Sequence, residues 1–500
     1  MRESDIKKLN ELHTLLREIE YIKYTLNGLL YWDKITKMPR GGIYYRSEVM
    51  AHFGEELYKK FSSSKLHKLV DYFEKNYGDD IKINSMIRRI KRNYIYVNQI
   101  PKKIYKEYIS HISMSEMAWQ EAKEKNDFSI FAPYLEKIIC YFKEFAEYWG
   151  YKNDPYDALI EYYEDGITTE LFDKLIPDLK KFAMETLKRI DLPKENKKQR
   201  KEFSFEKQKE LSEKLLKIIG FDFQYGRVDI SEHPTTLANS PQDVRVVTTF
   251  SKEEIFKGIY NTLHIGGKGI YEQDIDINLL GTLLGEVSTF ALEEAEAKIY
   301  ESIIGKDKNF CKLLLREIKN VFPKEYKDMT LEDIYKKVNK IEPSFIRIDA
   351  DELTSILHII IRYEIERDLI NNKIAVKDLP DIWRSKYKEY LKIEPTEDSK
   401  GVLQDIHWAA GYFGYFPSYL LSGIYAGQIV ASMNRELKNI TENINEENLK
   451  EIHRWLKENI HRHGAVYTPK ELIMNISKEE INSKYYIEYL RKKYIELYKI

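Results

Sequence analysis

The chain has 500 residues, of which 43% are hydrophobic and 32% are charged, so it can form a large buried core and is not intrinsically disordered. Its 80 basic and 81 acidic residues leave a net charge of −1, which argues against a nucleic-acid partner because such partners require a basic excess. The two cysteines, Cys140 and Cys311, provide no disulfide framework and no thiolate zinc site, and they predict a reducing, cytoplasmic location.

Hydrophobic periodicity predicts a chain built mainly from α-helices. Residues 4–30 place Leu9, Leu12 and Leu16 at helical spacing, with charged residues between them. The same pattern predicts helices over residues 83–125, 130–149, 168–190, 205–219, 252–272, 281–304, 330–340, 350–371 and 380–392. A lysine-rich stretch at residues 193–202 predicts an exposed connector.

Local signals predict several helix ends and one strand. Residues 251–254 (SKEE) and 468–471 (TPKE) each fit a capping box at a helix start, and Gly305 fits a helix C-cap. Residues 244–250 (VRVVTTF) are rich in β-branched side chains and predict a strand. We therefore expect a mostly helical body with a small β-sheet near the middle of the chain.

Residues 408–433 contain no charged side chain and are long enough to span a bilayer. Pro417 and several glycines interrupt the stretch, and no cluster of Lys or Arg flanks it. We interpret it as a buried wall of a soluble protein and expect no membrane partner. The charged N-terminal sequence MRESDIKKLNELHTLL has no apolar region, so we expect no secretory signal.

The strongest chemical signal lies in residues 261–273 (NTLHIGGKGIYEQ). His264 and Lys268 are one helical turn apart and share a helix face. The HExxH motif of zinc peptidases places two histidines at these positions and a glutamate, the general base, directly after the first. Here the base position is Ile265 and the second histidine position is Lys268. A lone histidine such as His264 is more often structural than a ligand, so the motif alone is weak.

Several ordered segments together resemble the carboxypeptidase Taq family of metallocarboxypeptidases. Residues 233–236 (HPTT) and 243–247 (DVRVV) are similar to its HPF and DxRxT segments, residues 346–351 (IRIDAD) match IRxxAD, residues 401–408 (GVLQDIHW) match GxxQDxHW, and shorter matches are YWD (31–33), MP (38–39), PYDA (155–158), GYFP (414–417) and HRHG (461–464). The likeness covers essentially the whole chain in the family's order. It implies one mainly α-helical domain over residues 1–500, with a long central cleft, a small sheet, an N-terminal helical part (1–195) and a part with the metal-site helices (203–500).

The resemblance also implies a metal site, which this sequence retains only in part. The family removes C-terminal residues from peptides with zinc or cobalt, held by both histidines of HExxH and by a glutamate in an HES/GQ segment. His264 and Glu294 remain at these positions, but the histidine before the glutamate is Glu293 and the second HExxH histidine is Lys268. An ammonium has no lone pair for a metal, and Ile265 cannot accept a proton. We therefore expect no cofactor and predict an inactive or strongly impaired carboxypeptidase.

We expect Lys268 to pair with Glu294 or Glu293 near the place of the metal, the alternative being that it reaches solvent. By the resemblance, Arg347 and Arg245 are candidates for binding the C-terminal carboxylate of a peptide, with His407 and Tyr415 beside them. The alternative is that both arginines form structural ion pairs, for example with Asp351 or Asp243. His461 and His463 are interpreted as structural.

Two other functions remain open from the sequence. The first is an active metallocarboxypeptidase that uses zinc or cobalt at a displaced site formed by His264, Glu293 and Glu294. The second is a structural or interaction protein that uses its charged N-terminal helices. The family resemblance implies a homodimer in either case.

Overall fold

The computed structural model describes residues 1–190 and 202–499, so the predicted connector at 193–202 lies almost wholly outside the described residues. The helices before the sheet are α1 (Glu3–Lys23), α2 (Tyr31–Thr36), α3 (Ile43–Phe61), α4 (Ser64–Tyr77), α5 (Ile81–Asn98), α6 (Lys102–Lys125), α7 (Phe128–Trp149), α8 (Pro155–Tyr163), α9 (Thr169–Arg189) and α10 (Phe205–Ile219). The strands are β1 (Gly226–Ile230), β2 (Thr235–Ser240) and β3 (Asp243–Thr248). The predicted class, mainly α-helical with a small sheet, is confirmed.

Ten helices follow the sheet within the described residues. They are α11 (Ile255–Asp274), α12 (Phe290–Lys298), α13 (Lys308–Val321), α14 (Leu331–Val338), α15 (Glu352–Ile370), α16 (Leu379–Leu391), α17 (Pro417–Glu436), α18 (Glu446–Asn459), α19 (Pro469–Ser477) and α20 (Lys484–Tyr498). Two π-helical segments, π1 (Tyr24–Leu30) and π2 (Ile299–Ile304), continue α1 and α12. Short 3-10 turns include Ile277–Leu279, Arg347–Asp349 and His461–His463.

Two predicted helices differ from the structure. The predicted helix at 83–125 is in fact two helices, and Pro101 stands between α5 and α6, where its missing N–H and its ring disfavour continuous helical hydrogen bonding. The predicted helix at 281–304 begins only at Phe290. Gly281 and Leu283 have positive φ angles of 82° and 61°, a left-handed conformation that a right-handed helix does not contain.

The predicted helix ends are confirmed at two of three places. Thr468 and Glu471 form the reciprocal capping box at the start of α19, and Gly305 closes π2. The capping box predicted at 251–254 is wrong. The N-cap of α11 is Glu254, whose carboxylate accepts a hydrogen bond from the Phe256 amide at 3.1 Å, whereas Ser251 accepts one from Glu253 in the preceding turn.

The sheet has the order β1-β3-β2, with β3 parallel to β1 and antiparallel to β2. Its central strand is the one that the sequence predicted, and Val244, Val246 and Val247 of that strand are fully buried. The flanking strands were not predicted, because their polar residues give no β-branched run. The register places Arg227 beside Arg245 on the two parallel strands.

The chain divides into two compact units, each assembled from three segments. Unit 1 comprises Met1–Tyr94, Lys197–Val338 and Ile429–Lys478, and contains the sheet with α11 and α12. Unit 2 comprises Ile95–Asn196, Asn339–Gln428 and Glu479–Ile500. The single domain over 1–500, with its parts 1–195 and 203–500, stays a prediction.

The uncharged stretch at 408–433 forms a turn region followed by most of α17. Its apolar side chains are buried within the protein, as Leu421, Ile424 and Tyr425 illustrate. Of the helices in residues 1–190 and 202–499, none is long and apolar enough to cross a membrane.

Candidate functional site

The helices that carry the degenerate motif, α11 and α12, pack very closely in unit 1. A Cβ atom added to Gly267 would lie 2.9 Å from the carbonyl oxygen of Glu296 and 3.0 Å from the ring of Tyr300. Glycine inside a helix costs about 1 kcal/mol relative to alanine, and here it permits the two backbones to approach. The close approach brings the polar face of α11 against the glutamates of α12.

Lys268 forms a buried ion pair with Glu294. Its Nζ atom contacts Glu294 Oε1 and lies 3.8 Å from Glu293 Oε2, while the Lys268 and Glu294 side chains are only 12% and 5% exposed. Burial opposes ionisation of Glu294, but the charges of Lys268 and His264 hold its pKa well below the usual range. Lys268 therefore does not reach into solvent, which was the alternative expectation.

His264 is held between two carboxylates. Its Nδ1 atom lies 2.9 Å from Glu301 Oε2, and its Nε2 atom lies 3.5 Å from Glu294 Oε2. Burial alone lowers the pKa of His264, but Glu294 and Glu301 together raise it to about 9. Glu301 belongs to π2, the π-helical segment that continues α12.

These residues do not fit a zinc or cobalt ion. Among the side chains of residues 1–190 and 202–499, no group of three or more His, Cys, Asp or Glu is arranged to hold a metal. A catalytic zinc takes three protein ligands and a water. Here the position of the second motif histidine holds the Lys268 ammonium, which itself contacts Glu294, one of the two remaining ligand residues. Ile265, at the position of the general base, is buried, and its side chain is a hydrocarbon that offers no acceptor for a proton.

Arg245 lies on β3 in unit 1 and is engaged by its neighbours. Its Nε and Nη2 atoms donate to Asp243 at 2.9 and 3.0 Å, and its guanidinium carbon lies 4.4 Å from the ring centre of Trp32. Asp243 also accepts hydrogen bonds from Tyr24 and Asn239. Arg245 thus forms the ion pair with Asp243 that was considered as the structural alternative, and it joins π1 and α2 to the sheet.

Arg347 lies in unit 2 and pairs with Asp405, not with Asp351. The distances from its Nε and Nη2 atoms to Asp405 are 3.1–3.3 Å. Asp351 is the N-cap of α15 and accepts hydrogen bonds from the first backbone amides of that helix. The fully buried Arg362 also donates to Asp405, at 2.9 Å from Nε. Two guanidinium groups therefore share one carboxylate, which leaves a net charge of +1.

His407 and Tyr415 lie beside this charged group in unit 2. Their rings are stacked, with centres 5.6 Å apart and an angle of 21° between the ring planes. Burial lowers the pKa of His407 to about 4, the opposing influence of Asp405 being partly cancelled by Arg347 and Arg362. The imidazole is therefore neutral at pH 7. Its Nδ1 atom is buried and makes no hydrogen bond to any described residue.

Sequence reasoning missed Glu366, a buried carboxylate on α15. It accepts hydrogen bonds from Tyr156 at 2.6 Å, Trp408 at 2.7 Å and the Gly414 amide at 2.9 Å. Burial raises the pKa of Glu366 to about 7, against the effect of these donors. All three donors lie in segments that match the family, so the matches at 155–158, 401–408 and 414–417 have a common structural reason.

A second group that the sequence did not reveal surrounds His461 in unit 1. His461 Nδ1 lies 2.9 Å from Asp274 and its Nε2 lies 2.9 Å from Glu296, so one imidazole links the end of α11 to α12. The Asp274 carboxylate also contacts two residues of α18, with His453 Nε2 at 2.7 Å and Lys457 Nζ at 3.0 Å. This arrangement agrees with the interpretation of His461 as structural.

Comparisons with known proteins bear on both units. The chain matches the family model described as carboxypeptidase Taq (M32) metallopeptidase over residues 11–494. It is 38% identical to a protein named carboxypeptidase 1 from Bacillus subtilis (strain 168) over 495 residues, which is 98% of each chain. It is 31% identical to thermostable carboxypeptidase 1 from Pyrococcus furiosus over 473 residues, 94% of this chain and 95% of the other.

Solved structures show the same likeness in the fold. The M32 carboxypeptidase of Deinococcus radiodurans R1 superposes with a TM-score of 0.94 at 29% identity, covering 99% of this chain and 100% of that one. A carboxypeptidase of Pyrococcus furiosus superposes with a TM-score of 0.93 at 30% identity, covering 99% of both chains. The similarity in sequence and structure thus extends over nearly the entire length.

Proposed function

The chain belongs to the carboxypeptidase Taq (M32) metallopeptidase family, and from that premise we propose that it lacks normal hydrolytic turnover but still binds the C-terminal carboxylate of peptides. The observation that carries the proposal is the Lys268–Glu294 ion pair next to the buried Ile265. It places an ammonium and a hydrocarbon at the two positions where the family motif has a metal ligand and a general base.

The chemical consequence is the loss of an activated water. General base catalysis contributes about 10²–10⁴-fold, and an isoleucine can neither accept nor relay a proton. Glu294 cannot serve a metal while Lys268 occupies its carboxylate. The relatives are named carboxypeptidases, so the proposed loss of turnover rests on residues 265 and 268 and not on the fold.

The binding part of the proposal rests on unit 2. Arg347 uses Nε and Nη2 for Asp405, so its Nη1 edge is the part of the guanidinium suited to a second carboxylate. Arg362 also donates to Asp405, so two positive charges face one negative charge. The carboxylate of a peptide C-terminus would cancel the excess positive charge. The neutral His407, stacked on Tyr415, forms an uncharged wall beside Arg347.

We extend the proposal to assembly and location by analogy with the family and from composition. The protein forms a homodimer in the cytoplasm and binds neither nucleic acid nor membranes, in keeping with its net charge of −1. Light scattering coupled to size-exclusion chromatography tests the dimer directly. A mass of one chain at micromolar concentration would contradict it.

The central experiment combines a turnover assay with a binding assay on the purified protein. With added zinc or cobalt, short peptides are expected to release no C-terminal amino acid above the blank, while calorimetry detects binding of the free-acid peptide and not of its C-terminal amide. Robust release that a chelator abolishes would instead support an active enzyme with a displaced site at His264, Glu293 and Glu294. Absence of both release and binding would support a structural or interaction protein.

A further inference from the structure

The glutamates of α12 create an electrostatic requirement in unit 1. Glu293 and Glu294 are adjacent and both approach α11, and the Glu294 side chain is almost completely buried. A buried carboxylate without a cation is strongly unfavourable, since nothing replaces its hydration. Positive charge between the two helices therefore stabilises unit 1 as long as Glu294 is ionised.

His264 does not meet this requirement alone. Its Nδ1 atom lies 2.9 Å from Glu301, whereas its Nε2 atom is 3.5 Å from Glu294, outside normal hydrogen-bond distance. One imidazole ring is thus shared between two carboxylates. A second cation at this place is Lys268, one turn further along α11, whose Nζ contacts Glu294 directly and lies 5.4 Å from the centre of the Phe290 ring.

We propose that the Lys268 ammonium replaces the metal ion as the cation that compensates the buried charge of Glu294, with Glu293 3.8 Å away, and that it holds α11 against α12. A lysine ammonium is a compact point charge with three donors, so it can contact neighbouring carboxylates from one position. A divalent ion does not fit beside the ammonium, because the two positive charges repel each other and Lys268 already contacts Glu294 Oε1. Unit 1 is therefore stable without any metal.

This inference rests on the proposed loss of the metal site, but its test measures stability and metal content, not hydrolysis or peptide binding. The inference about Lys268 and the proposed function can therefore fail independently of each other. Thermal unfolding of the parent protein is recorded with a chelator and with added zinc, and bound metal is measured on the same sample. The expected result is an unchanged unfolding temperature and no stoichiometric zinc. A fall on chelation, or one tightly bound zinc per chain, would overturn the proposal.

Two variants, Lys268→Met and Lys268→Met combined with Glu294→Gln, test the role of the ammonium. The matched control is Lys257→Met, because Lys257 is an exposed lysine on the same helix. Lys268→Met is expected to lower the unfolding temperature by several degrees and Lys257→Met to leave it unchanged. Lys268→Met combined with Glu294→Gln is expected to recover most of the loss, since the buried charge is gone. Equal stability of Lys268→Met and the control, or no recovery in the double variant, would refute the inference.

Lys268→His provides the converse test. With chelator it is expected to be less stable than the parent, and with zinc it is expected to regain stability, because His264, His at 268 and Glu294 then form a three-ligand set. The zinc-dependent rise in unfolding temperature should be absent from Lys268→Met. If zinc stabilises Lys268→Met as much as Lys268→His, the ammonium does not stand in the position of the metal.

Discussion

Arg347 and Asp405 form an ion pair in unit 2 that is not balanced in charge, because Arg362 donates to the same carboxylate. Ion pairs that serve only to hold a fold are usually balanced, since uncompensated buried charge is unfavourable. The Arg347 side chain is 13% exposed, so a ligand can reach part of it. This relationship distinguishes Arg347 from Arg245, whose partner Asp243 has one arginine and two neutral donors.

Arg347→Ala is expected to weaken binding of a free-acid peptide by at least about tenfold, which corresponds to about 1.4 kcal/mol. The physical reason is the loss of a bidentate, charge-assisted contact with the peptide carboxylate. Arg384→Ala is the matched control, since Arg384 is also an aspartate-paired arginine of unit 2. Calorimetry measures the affinity of each variant protein for the free-acid peptide and for its C-terminal amide. Equal affinity of the Arg347→Ala and control proteins would contradict the assignment.

Restoring the motif is expected to restore some hydrolysis. In the presence of zinc, Ile265→Glu combined with Lys268→His should release C-terminal residues at least about 100-fold faster than Lys268→His alone, because general base catalysis contributes about 10²–10⁴-fold. Ile265→Glu alone should remain inactive, since Lys268 still holds Glu294. Release of C-terminal amino acids from short peptides is the measurement. Comparable rates for the parent and the double variant would show that these two positions do not limit turnover.

The sequence predicted those features that depend on local pattern. Helical periodicity located α10 at 205–219, β-branched residues located β3, and the Thr468–Glu471 spacing located a capping box. The family and the pairing of Lys268 with Glu294 could also be anticipated, because helix spacing places residue 268 on the face that carries His264.

Other features depend on contacts between distant parts of the chain, and no local pattern encodes them. Asp405 is 58 residues from Arg347, so the partner of that arginine could not be chosen from the sequence. Glu301 contacts His264 from π2, and π-helical turns have no sequence signature comparable to a capping box. The break between α5 and α6 differs from these features, because Pro101 is a local signal in the sequence that the prediction of one continuous helix did not use.

The neutral His407 predicts an acid-dependent loss of stability. Its pKa is lowered by burial from 6.5 to about 4, so between these values the unfolded chain binds a proton that the folded chain does not. The stability from this group is present above pH 6.5 and is lost as the pH falls towards 4. The full effect is about 3 kcal/mol, since one pKa unit is about 1.4 kcal/mol.

His407→Gln is therefore expected to flatten the dependence of the free energy of unfolding on pH between 7 and 4. Urea titrations at pH 7, 5.5 and 4 measure this free energy for the parent and the variant. His52→Gln, which changes an exposed histidine, should keep the slope of the parent protein. A parent slope that survives His407→Gln would assign the acid sensitivity to other groups.

Two histidines in one short turn should differ sharply in their contribution to stability. His461 is fully buried and contacts Asp274 and Glu296, whereas the partly exposed His463 packs with its ring centre 5.3 Å from that of Tyr467. Removing one partner of a buried ion pair costs about 3–5 kcal/mol, because the carboxylates are left without compensation. His461→Ala is expected to reduce the free energy of unfolding by this amount.

His463→Ala is the matched control for that variant, and its expected cost is below about 1 kcal/mol because no buried charge loses its partner. Urea unfolding followed by tryptophan fluorescence compares the two proteins under one condition. Trp455 of α18 is one of the six tryptophans that contribute to this signal, and it lies in the same unit as His461. Equal destabilisation by the two substitutions would mean that the contacts of His461 with Asp274 and Glu296 do not stabilise the packing of α11, α12 and α18.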